Sequence, residues 1–158
     1  MLSFLLTNRR GAYMLFSDKV ISKYYGVFFL DEMRMFRVIE DIRMEKEITG
    51  WKNHLWCVER QRGDITERFF MPDNYNALLY EINRKSDFDL VLDVKESYDN
   101  REWGRFYEIS EENNALVIKF VKKTSAYEDK SEGKEEFVVY LVVRSDNMDF
   151  KVIERWEK

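Results

Sequence analysis

Thirty aspartates and glutamates stand in a chain of 158 residues, so paired carboxylates are the first chemistry its composition could supply. Glycoside hydrolysis needs two of them, about 5–5.5 Å apart for retention or about 6.5–9.5 Å for inversion. Asp93 with Glu96, or Glu96 with Asp99, has a spacing that could serve. At this density chance pairs are certain, and a solvated face is the ordinary role of acids, so no catalytic residue is assigned. A single histidine, His54, and a single cysteine, Cys57, remove the Ser-His-Asp and Cys-His forms of nucleophilic catalysis and the ordinary zinc sites. His54 reads as a hydrogen-bonded structural residue, and Cys57, beside Trp56 and Val58, as a buried small hydrophobe. There is no phosphate-cradling glycine loop and no EF-hand loop, so neither a cofactor nor a metal is expected.

Binding chemistry has more candidates. Trp51, Trp56, Trp103 and Trp156, with Tyr98 and Tyr107, offer apolar ring faces that match the C–H face of a pyranose. For any one of them, packing in the core or at its rim is the competing role. The run Asn100-Arg101-Glu102-Trp103-Gly104-Arg105 joins two arginines and a tryptophan to a glycine, and loops on rigid scaffolds often carry binding groups.

The elements that must position these groups read as strands. Phe88, Leu90, Leu92 and Val94 alternate with Asp89, Asp93 and Lys95; Leu116, Ile118 and Phe120 repeat the pattern. Phe137, Val139, Leu141 and Val143 do so again, but Val138, Tyr140 and Val142 between them are also apolar, which predicts a strand covered on both faces. Residues 35–42, 54–60, 65–71, 76–82 and 151–156 are further strand candidates, and 98–103 could form a helical turn. Arg62-Gly63-Asp64 predicts a tight hairpin, and Pro72-Asp73-Asn74 and Glu112-Asn113-Asn114 predict turns. No stretch holds a 3.6-residue period over a dozen positions. The expectation is an all-β chain: an antiparallel two-sheet β-sandwich of 10–13 strands, forming one domain over residues 1–158, with a mobile charged loop at 124–135.

Net charge is −4 and the pI about 5.3, against the basic face expected of a nucleic-acid binder. The apolar start, Met1 to Leu6, is closed at once by Asn8-Arg9-Arg10, too short for a secretory leader or a membrane span. A cytoplasmic chain without nucleic-acid or membrane partners is therefore expected. A single glutamine among many Lys, Glu and Arg resembles thermophile composition.

Two blocks near the start carry a family resemblance: Leu6-Thr7-Asn8 with Gly11 and Tyr13, then Lys23, Tyr24, Gly26 and Val27. They resemble the N-terminal domain of archaeal and bacterial glycogen debranching enzymes of the amylo-α-1,6-glucosidase type. Ile65 to Met71 and the strands up to Tyr107 look like later parts of that domain. Arg9, Arg10 and Ala12 stand where the family prefers glycine or small residues, Tyr25 replaces a histidine, and the insert between the blocks is shorter. The resemblance implies a β-sandwich packed on a helical (α/α)₆ barrel that holds the catalytic carboxylates. No helical region is seen up to Lys158, so this chain would be the non-catalytic sandwich alone, lining one side of an α-glucan cleft. Tyr13, Lys23, Tyr24 and Tyr25 are then the expected substrate contacts, with Arg101 and Trp103 as second candidates. Three other readings stay open: a stand-alone module binding carbohydrate or protein, a small two-carboxylate enzyme, and a structural subunit.

Overall fold

Fourteen strands and no helix make up the regular structure of the computed structural model, which describes residues 3–19, 22–124, 133–145, 147 and 149–153. Every strand pairing is antiparallel, so the all-β expectation holds. The strands lie in four hydrogen-bonded sheets, and the chain falls into two compact units, Met1–Asp99 and Asn100–Lys158. Residues 125–132 of the expected charged loop, and 154–156 of the expected last strand, lie outside the described residues; 151–153 are not strand.

The first unit contains β1 (Ser3–Thr7), β2 (Tyr13–Ser17), β3 (Gly26–Asp31), β4 (Arg34–Ile39), β5 (Asp41–Arg43), β6 (Gly50–Asn53), β7 (Val58–Arg62), β8 (Ile65–Phe70), β9 (Leu79–Ile82), β10 (Asp89–Val91) and β11 (Lys95–Glu96). One sheet has the order β1-β2-β3-β4-β11, a second β6-β7-β8-β9, and β5 pairs with β10. Alternation selects the buried side chains: Phe4 and Leu6 from β1, Met14 and Phe16 from β2, Ile65 and Phe69 from β8. The two larger sheets meet through their rings. Phe4 lies 4.4 Å from Trp51 and 6.0 Å from Phe69, and Phe16 lies 6.0 Å from Phe69, edge to face. Each fully buried ring of this kind contributes about 1.5–3 kcal/mol.

The same inward face carries three charges. Arg60 and Glu67 are direct cross-strand partners on β7 and β8, and with Arg62 they are buried. The Glu67 carboxylate accepts four hydrogen bonds, from Arg60 Nε and Nη2, Arg62 Nε and the Tyr80 hydroxyl, which fills its lone pairs. Further guanidinium N–H groups reach backbone carbonyls: Arg60 Nη2 donates to Ile42 at 3.1 Å and Arg62 Nη1 to Lys46 at 2.6 Å. The rings of Phe69, Trp51 and Phe16 lie 5.1, 5.4 and 5.6 Å from the Arg60 guanidinium carbon. Burial by itself pushes the Glu67 carboxyl up. The hydrogen bonds and charge of Arg60, with those of Tyr80 and Arg62, outweigh it and hold the group below its usual range.

The second unit is a meander of β12 (Arg105–Glu112), β13 (Ala115–Thr124) and β14 (Lys134–Arg144), in that order. Asn113 and Asn114, at φ 49° and 60°, form the two-residue loop between β12 and β13, the conformation asparagine tolerates best after glycine. The hairpin expected at Gly63-Asp64 is present, with Arg62 opposite Ile65.

Several expectations change. Residues 54–57 are a turn, not a strand: the His54 amide donates to the Cys57 carbonyl at 2.8 Å, and Leu55 and Trp56 are left exposed. Only a turn forms at Ser97–Tyr98, with no helix to Trp103. On β14, Tyr140 and Val142 are exposed, so one face of that strand is open.

Glu67→Gln removes the charge that neutralises two buried arginines. It should lower unfolding free energy by about 3–5 kcal/mol, read as a fall in denaturant midpoint at unchanged slope. Because the native carboxyl titrates below its unfolded value, its stabilisation is complete above the ordinary 4.5 and fades as pH falls through the lower native value. Acid titration of stability should therefore flatten over that window in the variant.

Candidate functional site

The opening motif first builds a hairpin. Asn8 ends β1, and its Oδ1 accepts from the amides of Arg10 and Ala12, both at 3.0 Å. Its Nδ2 donates to the carbonyls of Pro72 at 2.9 Å and Tyr75 at 2.8 Å. One side chain thus closes the β1–β2 loop and ties it to the loop after β8. Gly11 turns the chain at φ 93°, with Leu30 close above it. Gly26 opens β3 at φ 122°, where a Cβ would stand 2.4 Å from the Ile39 carbonyl oxygen.

This construction presents the outer face of β1, β2 and β3. Thr7, Tyr13 and Phe28 form one cross-strand row; Leu5 and Leu15, ahead of Gly26, form the next. The Tyr13 ring stacks on Phe28 at 4.5 Å with 10° between planes. An open recess of about 370 Å³ lies here, lined by Leu5, Gly11, Ala12, Tyr13, Leu15 and Tyr24, with Thr7 at its edge. Leu5 is 57% exposed, high for a leucine on a strand. Lys23 lies next to Tyr24: its ammonium sits 5.3 Å from the Tyr24 ring centroid and 5.1 Å from that of Tyr98. Tyr24 is 39% and Tyr98 72% exposed. Burial first, then the neighbouring Tyr24 and Tyr98 hydroxyls, push the Tyr13 phenol up to about 12. It stays a neutral hydrogen-bond donor throughout the physiological range.

Three of the residues expected to contact substrate, Tyr13, Lys23 and Tyr24, therefore share one surface. Tyr25 does not join them. It is 4% exposed and turned into the core, its ring 5.2 Å from Phe16 and its hydroxyl donating to Asp41 at 2.9 Å. Both tyrosines lie in the turn before β3, where the amides of Tyr24 and Tyr25 donate to the Ser22 hydroxyl at 3.2 Å and to the Ser22 carbonyl at 3.1 Å, and the turn leaves Tyr24 outside and Tyr25 inside. Arg101 and Trp103 belong to the second unit, where the Arg101 guanidinium lies 5.2 Å from the Trp103 ring. Arg101 is also held by both oxygens of Glu136 at 2.8 Å. The Lys122 ammonium lies 4.9 Å from the same ring and donates to the Trp103 carbonyl.

The carboxylates considered for hydrolysis are engaged elsewhere. Glu96 is gripped by two nitrogens of Arg34 at 3.2 and 2.9 Å, and Asp93 is paired with Arg37. Among the described residues no group of three or more His, Cys, Asp or Glu is arranged to hold a metal ion. Cys57 is a free, buried thiol. No helix among the described residues is long and apolar enough to cross a membrane.

Tyr98 and Leu5 are the members that their positions in sequence do not place at this site. Leu5 had a signal: it is the odd apolar residue between the inward Phe4 and Leu6.

Asn8→Ala breaks both ties at once. It should lower stability by about 1–3 kcal/mol in urea unfolding, chiefly through the backbone groups left unpaired. Gly26→Ala should be worse still, since it adds a backbone clash to an unfavourable φ.

No family model, no curated protein and no solved structure matches this chain.

Proposed function

We propose that this chain is a cytoplasmic, non-catalytic β-sheet domain of an α-glucan debranching system, working beside a helical barrel that carries the catalytic carboxylates. The β1–β2–β3 face is its glucan-binding surface. The observation that carries the proposal is the exposed pair of rings, Tyr24 and Tyr98, flanking the Lys23 ammonium, Tyr24 also lining an open apolar recess. Ring faces give a pyranose an apolar platform, and Lys23 with the Tyr13 and Tyr24 hydroxyls supplies donors for its hydroxyl groups. An open surface suits a polymer better than a monosaccharide, which would need enclosure on several sides. The engagement of Asp93 and Glu96 by arginines agrees with a binding role. The resemblance of the Leu6-to-Val27 blocks to debranching enzymes supplies the choice of α-glucan.

A second reading rests on the recess lining, which is mostly aliphatic: Leu5, Ala12 and Leu15. Such a surface also fits a protein partner, and in this reading the face docks the barrel instead of the glucan.

Native electrophoresis through gels containing glycogen or amylopectin separates the two. Binding to glucan predicts retardation that the Tyr24→Ala/Tyr98→Ala double variant loses and Leu5→Asp largely keeps. Unretarded migration of the unaltered chain would rule out glucan binding. Association with a co-expressed barrel domain that Leu5→Asp alone destroys would favour the docking reading.

A further inference from the structure

The second unit contains an element that the binding face does not use. β14 is the longest strand, eleven residues, and lies at the edge of its sheet, paired only with β13 among the described strands. From Phe137 to Val143 it carries seven apolar residues in succession, with no proline and no charge. Tyr140 is 65% and Val142 57% exposed. Proteins ordinarily blunt such an edge with a charge, a proline or a bulge, because its backbone groups are a template for another strand. Here the irregularity falls only at the entry: the register against β13 shifts where Lys122 pairs with Phe137 and Lys123 with Glu135. Beyond it, from Phe137 to Arg144, pairing is regular.

We propose that β14 is a homodimerisation edge, pairing antiparallel with β14 of a second copy of this chain about a two-fold axis at Tyr140. The sequence of the strand selects that occupant. Centred on Tyr140, the segment matches itself in reverse. Val138 falls opposite Val142, Val139 opposite Leu141, and Phe137 opposite Val143, so apolar residues meet apolar residues in every pair. At the ends, the exposed Arg144 of one copy falls opposite Glu136 of the other, whose carboxylate is also held by Arg101 of its own chain, next to the exposed Glu135. Charge complementarity then occurs twice by symmetry, as a two-fold contact requires. A parallel arrangement in register would instead set Arg144 beside Arg144 and the acidic residues beside each other. Pairing joins two three-stranded sheets into one of six and gives Tyr140 and Val142 cross-strand neighbours on their exposed face.

Sedimentation of the full chain over a concentration series tests this. A mass twice that of the chain, falling to the single mass on dilution, is expected. Tyr140→Lys sets two ammonium groups together on the axis and should give the single mass at every concentration with an unchanged circular dichroism spectrum. Arg144→Glu should weaken the dimer without abolishing it. Tyr140→Cys should cross-link to itself on mild oxidation, whereas Ile109→Cys on β12, also exposed, should not. The buried Cys57 provides the background. A single mass for the unaltered chain throughout, or a dimer that Tyr140→Lys leaves intact, overturns the proposal. A dimer in which Tyr140→Cys fails to cross-link overturns the register.

Discussion

The first unit depends on one carboxylate. Glu67 lies between two arginines in an interior otherwise lined with rings, and removing such charges from water costs several kcal/mol apiece. That cost is offset by the hydrogen bonds and opposite charges the groups offer one another. Four donors reach the carboxylate, and the backbone carbonyls of Ile42 and Lys46 take protons that the carboxylate leaves over. The ion network adds to the register that the apolar pattern already sets. A slip of one residue between β7 and β8 would turn Glu67 out to solvent and leave Arg60 and Arg62 buried without a counter-charge.

The consequence reaches the opposite sheet. The rings around Arg60 belong to both layers, Phe16 from β2 and Trp51 and Phe69 from β6 and β8. Fixing Phe16 inward fixes the alternation of β2, and with it the outward turn of Tyr13 and Leu15. The turn before β3 sends Tyr25 inward, where its ring meets Phe16 and its hydroxyl Asp41, and leaves Tyr24 exposed. The Asn8 loop then holds the end of the hairpin against the segment after β8. In this way a buried ion network sets which side chains form the open aromatic surface.

Strand character and turns were legible in the sequence where alternation was clean or where glycine and asparagine marked reversals, as at Gly63 and Asn113-Asn114. The hairpin of β1 and β2 was legible only as a motif, because its residues act at a distance: Asn8 on Pro72, Gly26 beneath Ile39. Short elements such as β6 and β11 have no pattern of their own and exist through their neighbours. The turn between β3 and β4 uses Glu32 and Met33 at positive φ, two residues without ordinary turn preference. Least legible was the ion network. Polarity is the usual guide to the outer face of a strand, and by that guide Arg60, Arg62 and Glu67 belong in solvent. Only the pairing of β7 with β8 reveals that their charges neutralise each other inside. On the β1–β2–β3 surface, Tyr13, Lys23 and Tyr24 were readable from one segment, while Tyr98 arrives there through the path of the later chain.

Native-state hydrogen exchange tests most directly whether the buried network unites the two sheets. If it does, the slowest amides of β2 and β8, including Met14, Phe16, Glu67 and Phe69, open in a single step. They then share one free energy and one dependence on denaturant, equal to those of global unfolding of that unit. Earlier opening of β7 and β8 at a distinctly lower free energy, with β1 and β2 still protected, would contradict it.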